Sequence, residues 1–325
     1  MSASLTRRGP LVGTLALALT LTAACSSNDS GSPDSASSTA GTGTHTVRTA
    51  MGDVKVKNTP KRVVVLDTAE LDSAITLGVH PVGATRAGAE QSFLSYLPKS
   101  QTTGITEVGE IANANLEKIA GLKPDLILSN KVRDGGRYQQ LSAIAPTVLT
   151  ESTGYPWKQN FLTHADALGK KAEARTVIKK YETHAAAVTK ALGGKTKAAA
   201  TDVNVVRFVE GADIRIYGKQ NYIGTILADV GLGRPAITDK AKDGFSYDVS
   251  PEQIDKADAD VIFTSTYGNP GKAKVTQTTT SGLWRGLRAV RDDRVFQVDD
   301  ELWIQGIGYT AANKILAELR SDLTN

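Results

Sequence analysis

The residues of this chain that could do chemistry are hydrogen-bond donors and rings, not nucleophiles. Cys25 is the only cysteine, so no internal disulfide and no Cys–His pair can form in the folded part. The histidines, His45, His80, His164 and His184, fall in no metal-ligand spacing. No G-x-S-x-G elbow occurs. Gly306-Ile-Gly-Tyr-Thr-Ala311 fits a G-x-G-x-x-A pattern, but Asp299 to Gln305 separates it from the preceding strand, so the tight phosphate grip is missing. The neighbouring Asp299 and Asp300 read as a solvated loop. What remains is noncovalent recognition. Arg86 and Arg133 follow predicted strands, and Arg207 sits inside an apolar one, where an unpaired guanidinium is costly. A guanidinium donates several hydrogen bonds to oxygen and keeps its proton. A solvated loop charge is the plain alternative for Arg86 and Arg133, and a structural ion pair for Arg207. Tyr217, Phe245, Tyr267 and Trp303, with Tyr222 and Tyr247, lie near strand ends or in loops of the second half. Such rings cover apolar ligand surface at small entropic cost. Trp284 starts an apolar helix and reads as core.

These residues need strands to hold them. Arg62–Leu66, Val82–Ala84, Leu126–Ser129 and Pro146–Leu149 are short β-branched or apolar runs. Between them lie helical patterns at Glu70–Gly78, Asn115–Leu122 and Tyr138–Ile144. The alternation predicts an α/β lobe with a parallel sheet over 47–157. Over 158–193 the apolar residues recur at the helical period, interrupted once by Gly169, which predicts one connecting helix of ~30 residues and ~45 Å. Strand–helix alternation then restarts over 194–325. Val203–Phe208 and Ile214–Tyr217 read as a hairpin across Gly211. The fold class is therefore α/β, with Rossmann-like lobes on parallel sheets joined by a long helix. In such sheets ligands bind outside the carboxyl ends of the strands.

The start of the chain differs. Arg7 and Arg8 precede the apolar run Leu11–Leu21, followed by Thr22-Ala-Ala-Cys25. This reads as a lipoprotein export signal over 1–24, about half the ~20 apolar residues of a membrane span. Cys25 is the expected lipidation site. Residues 25–46, rich in Ser, Thr, Gly and Asp, bury too little to order and read as a tether. The net charge of +4 is spread without a basic block, which gives no support to nucleic-acid binding.

Several segments together resemble the helical-backbone class of bacterial substrate-binding lipoproteins, which serve importers for iron–siderophore complexes and vitamin B12. They are Val108-Gly-Glu-Ile-Ala-Asn-Ala-Asn-Leu-Glu to Ile127, Tyr138 to Val148, Ile223-Gly-Thr-Ile-Leu-Ala-Asp-Val-Gly-Leu-Gly-Arg-Pro235, Val249 to Ile262, and Leu283 to Asp299 followed by Trp303. The resemblance spans about residues 47–325. It implies a non-enzymatic, monomeric binding protein on the outer side of the cell membrane. The ligand would be a ferric siderophore, hydroxamates being favoured, with vitamin B12 or haem as the alternative. Neither a cofactor nor a protein-bound metal is implied, since the iron belongs to the chelate. Arg86, Arg133 and Arg207 are expected on its oxygens, and Tyr217, Phe245, Tyr267 and Trp303 around it. The resemblance further implies that Glu117 and Glu252 dock onto an ABC transporter permease. Both also start helices, where an acidic side chain offsets the macrodipole, and Ser250 with Gln253 fits a capping box.

Overall fold

The computed structural model describes residues 43–88 and 93–324. The export signal and Cys25 lie outside these residues. Ordered structure begins earlier than the predicted tether end at 46. Strand β1 (Thr44–Thr49) pairs antiparallel with β2 (Gly52–Lys57).

The first sheet has the order β6-β5-β4-β3-β7-β8. Its strands are β3 (Val63–Val65), β4 (Gly83–Arg86), β5 (Thr106–Glu110), β6 (Asn113–Ala114), β7 (Leu126–Asn130) and β8 (Thr147–Thr150). All neighbours pair parallel except β5 and β6. The central strands β3 and β7 are buried throughout, as their continuous apolar runs require. The second sheet has the order β11-β10-β9-β12-β13. It comprises β9 (Val203–Val209), β10 (Ile214–Tyr217), β11 (Ser246–Val249), β12 (Val261–Tyr267) and β13 (Val295–Gln297). Strands β9, β12 and β13 run parallel, while β10 and β11 extend the sheet antiparallel.

The predicted connecting helix over 158–193 is two helices, Trp157–Ala167 and Lys171–Ala191. Gly169 breaks it at φ +68°, a left-handed conformation, with its backbone against the Asn58 carbonyl so that no side chain fits. The lobes are also less separate than two sandwiches on a rod. One apolar core runs from Val63 and Leu126 through Phe161 and Val188 to Val205, Phe263 and Leu316. Where the lobes meet, Trp157, Tyr181, Tyr222 and Tyr309 pack edge to face or tilted, centroids 4.6 to 5.7 Å apart.

The closing helix Tyr309–Thr324 is shared between lobes. Its Thr310 and Ala311 amides donate to Asp72 of the first-lobe helix Thr68–Thr76, each at 3.1 Å. The Tyr96 hydroxyl donates to the same carboxylate at 2.9 Å. A carboxylate at a helix N-terminus satisfies free amides and complements the dipole. The glycine pattern at 306–311 thus seats the protein's own anion, and Gly308 lies flat against it.

Candidate functional site

The second sheet alternates, so its two faces can be read from the residue numbers. On β9, Val206 and Phe208 enter the core shared with Ile214 and Ile216 of β10. Arg207 therefore points to the other face, together with Arg215 and Tyr217. Strand β12 adds Ser265 and Tyr267 on that face, beside Arg207 in the parallel register. From the first lobe come Asp67, which follows β3 and caps the helix Thr68–Thr76, and Arg133, in the short helix after β7. All these side chains except Ser265 line one cavity of about 420 Å³, open between the lobes. It lies outside the carboxyl ends of β3, β7, β9 and β12, as expected for open α/β sheets.

The guanidinium groups are held before any ligand arrives. Arg207 Nε and Nη2 donate to Asp300 Oδ1 and Oδ2 at 2.7 and 2.5 Å. Ser265 Oγ and Gln305 Nε2 donate to the same carboxylate at 2.9 Å. The Tyr267 ring lies 4.7 Å from the Arg207 guanidinium carbon. Burial disfavours the Arg207 charge, but the Asp300 contacts outweigh it, and its pKa stands above the usual guanidinium value. Arg133 Nε donates to Asp67 Oδ2 at 3.0 Å, and Asn130 Nδ2 donates to the same oxygen. Tyr217 also hydrogen-bonds the Arg207 side chain, and each guanidinium keeps further N–H groups for a bound molecule.

The aromatic wall is graded. Trp303 is fully buried at the floor, its ring tilted against Phe263 at 4.6 Å and its indole donating to Glu318. Tyr217 packs edge-on against Phe245 at 5.6 Å. Burial pushes the Tyr217 phenol above its ordinary pKa, with Arg207 and Arg215 pulling the other way. Phe245 and Tyr267 are 44% and 39% exposed at the mouth. Ile304, Ile307 and Ile223 complete an apolar lining. Tyr222 lines the cavity as well. Tyr247 does not; it lies over Lys256. Trp284 is core, packed on Phe208.

Of the arginines and rings singled out as ligand contacts, Arg86 stays outside the cavity lining. It pairs instead with Glu107 of the neighbouring β5 at 3.4 Å. Asp300 corrects the solvated-loop reading: it is 9% exposed and anchors Arg207. Sequence reasoning missed two further residues. Arg234 is half-buried and donates to the Tyr217, Gly218 and Val203 carbonyls, fixing the turn below Tyr217. Burial lowers its pKa to about 10. Arg215 lines the cavity directly opposite Arg207. The predicted hairpin could have revealed it, since the two arginines are equidistant from Gly211.

Glu117 and Glu252 are exposed, each in the first turn of its helix. Asn115 caps the first helix by accepting from the Lys118 amide. The expected capping box at Ser250 does not form. The Ser250 hydroxyl bonds the Glu252 carboxylate, which lowers its pKa. No helix among the described residues is long and apolar enough to cross a membrane.

Comparison with known proteins agrees with this geometry. The chain is 37% identical over 288 residues to the probable siderophore-binding lipoprotein YfiY of Bacillus subtilis, covering 86% of this chain and 87% of that one. It is 31% identical to the Fe(3+)-citrate-binding protein YfmC of the same organism, covering 82% and 84%. The crystal structure of Staphylococcus aureus SirA complexed with staphyloferrin B matches with a TM-score of 0.77 and 34% identity, over 86% of this chain and 98% of that one. Residues 63–302 match the Periplasmic binding protein family, whose members bind and deliver substrates without catalysis, and the chain belongs to that family.

Proposed function

We propose that this protein captures an intact ferric siderophore outside the cytoplasmic membrane and delivers it to an ABC importer. Supporting this are relatives named for a siderophore and for ferric citrate, and the cavity's own chemistry. The cavity carries the reading. Arg133 and Arg207 offer preset donors to chelate oxygens, and the rings and isoleucines offer apolar cover to a ligand's linkers. The iron keeps its own ligands and takes none from the protein.

Among chelates we favour the hydroxamates. Arg133 and Arg207 each already hold a carboxylate, so they act as hydrogen-bond donors with their charge largely balanced. A multiply anionic catecholate complex calls for a denser excess of positive charge. Quenching of tryptophan fluorescence by ferric trihydroxamates, ferric citrate, a ferric tris-catecholate, cobalamin and haem tests the choice. The expected result is tight binding of a ferric trihydroxamate and much weaker binding of its iron-free form. Tighter binding of the catecholate or of cobalamin removes the reading. Arg133→Ala is expected to weaken capture by ~1–3 kcal/mol.

Attachment through a lipidated Cys25 and docking through Glu117 and Glu252 belong to the same proposal. The support for docking is that both glutamates are exposed, one on each lobe. Charge reversal at both positions should leave ferric-chelate binding intact and abolish transporter-dependent uptake. Unchanged uptake would remove the docking role.

A further inference from the structure

Arg215 stands directly across β9 and β10 from Arg207. Both side chains lie on the cavity face of the sheet. Like charges placed opposite on one sheet face destabilise it. Arg207 is relieved by Asp300, with two hydrogen bonds. Arg133 is relieved by Asp67. Arg215 forms no ion pair with a described carboxylate. Asp248 faces it in register on β11, but takes the Ser246 hydroxyl at 2.8 Å instead. The charged residues of the described cavity lining are Asp67, Arg133, Arg207 and Arg215. The lining therefore carries one guanidinium with no carboxylate of its own, and it is half-buried beside the Tyr217 phenol.

We infer that Arg215 is the charge selector of the cavity: it favours a ferric chelate with a negative group on its protein-facing side and rejects one with a positive group. This rests on the ferric-chelate reading and goes beyond it, because it ranks ligands that share one iron core.

The test uses ferrioxamine B with its terminal amine free, acetylated or succinylated, so that the tail is positive, neutral or negative on an unchanged trihydroxamate centre. In the wild-type protein the succinylated form should bind at least tenfold more tightly than the free amine, with the acetylated form between. In Arg215→Gln the three should fall within about twofold of one another, whereas Arg215→Lys should keep the order. The thermal midpoint of empty Arg215→Gln should rise, since a repulsive pair is removed; a purely structural arginine would lower it. Equal wild-type affinities, or an order that survives in Arg215→Gln, would overturn the selector. Failure of all three to bind would overturn the trihydroxamate reading, and this inference with it.

Discussion

Replacing Asp300 with alanine tests the site and the fold together. Its carboxylate accepts from Arg207 at two atoms, from Ser265 and from Gln305. Arg207 is 8% exposed, so its charge would be left nearly dry. Breaking a buried ion pair by removing one partner costs about 3–5 kcal/mol. The two neutral donors add roughly 1 kcal/mol each if they stay unpaired. The adjoining cavity admits water to both, so the low end, about 3 kcal/mol, is expected. That is more than a hundredfold in the folding constant. With a urea m-value of about 3 kcal/mol/M for a domain of this size, the midpoint should fall by about 1 M. Arg207→Met combined with Asp300→Leu provides the contrast. An apolar pair of similar volume restores most of a lost ion pair's stability. The double variant should therefore fold within about 1 kcal/mol of wild type and yet fail to bind the chelate. A midpoint shift under about 0.3 M for Asp300→Ala would refute the view that Asp300 holds a buried charge in place. So would retained binding in the double variant for the view that the pair exists for the ligand.

Two further outcomes follow from the junction of the lobes. Burial raises the pKa of Asp72, with the Thr310 and Ala311 amides only partly offsetting it. A folded-state pKa above the unfolded one stabilises most below the unfolded value and loses that contribution as pH rises through the folded value. The stability of wild type relative to Asp72→Asn, measured by urea titration, should thus be greatest at about pH 3 and decline toward neutrality; a difference that grows with pH contradicts it. Gly169→Ala should cost at least ~2 kcal/mol, from the left-handed backbone and the collision with the Asn58 carbonyl. An unchanged thermal midpoint would show that the break between the two helices is not fixed by this residue.

The parts of the fold legible in the sequence are those whose burial comes from their own composition. The runs Val63–Val65 and Leu126–Asn130 are apolar on both faces because helices cover both faces of a parallel strand. Caps are equally local: Asn115 starts its helix and Gly231 ends another by rules that need no distant residue. Strands β1, β2, β5 and β11 were not legible. Ser246-Tyr-Asp-Val249 and Thr44–Thr49 are edge or paired segments rich in polar residues, and their state is decided by a neighbouring strand far along the chain. The break at Gly169 was visible as a glycine, but its necessity comes from Asn58, which no local pattern includes.

The site divides in the same way. Arg133, Arg207, Tyr217, Phe245, Tyr267 and Trp303 line the cavity, and they are legible because positions after parallel strands, or facing outward on them, follow from sheet geometry alone. Arg86 meets the same criterion but lies outside the cavity lining: Glu107, on the next parallel strand, pairs with its guanidinium beside the sheet. Asp300 fails in the opposite sense. In an Asp-Asp-Glu run it has the signature of a solvated turn, and only the distant Arg207 makes its burial tolerable. The two cases share a cause. Whether a charge serves a ligand depends on the nearest opposite charge in space. That partner lies on an adjacent strand for Arg86 and on a far loop for Arg207. A guanidinium at a strand end is therefore a candidate until its carboxylate is found. In this cavity Arg133 and Arg207 have theirs and keep donors to spare, while Arg215, with none, has an unbalanced charge to offer an incoming chelate.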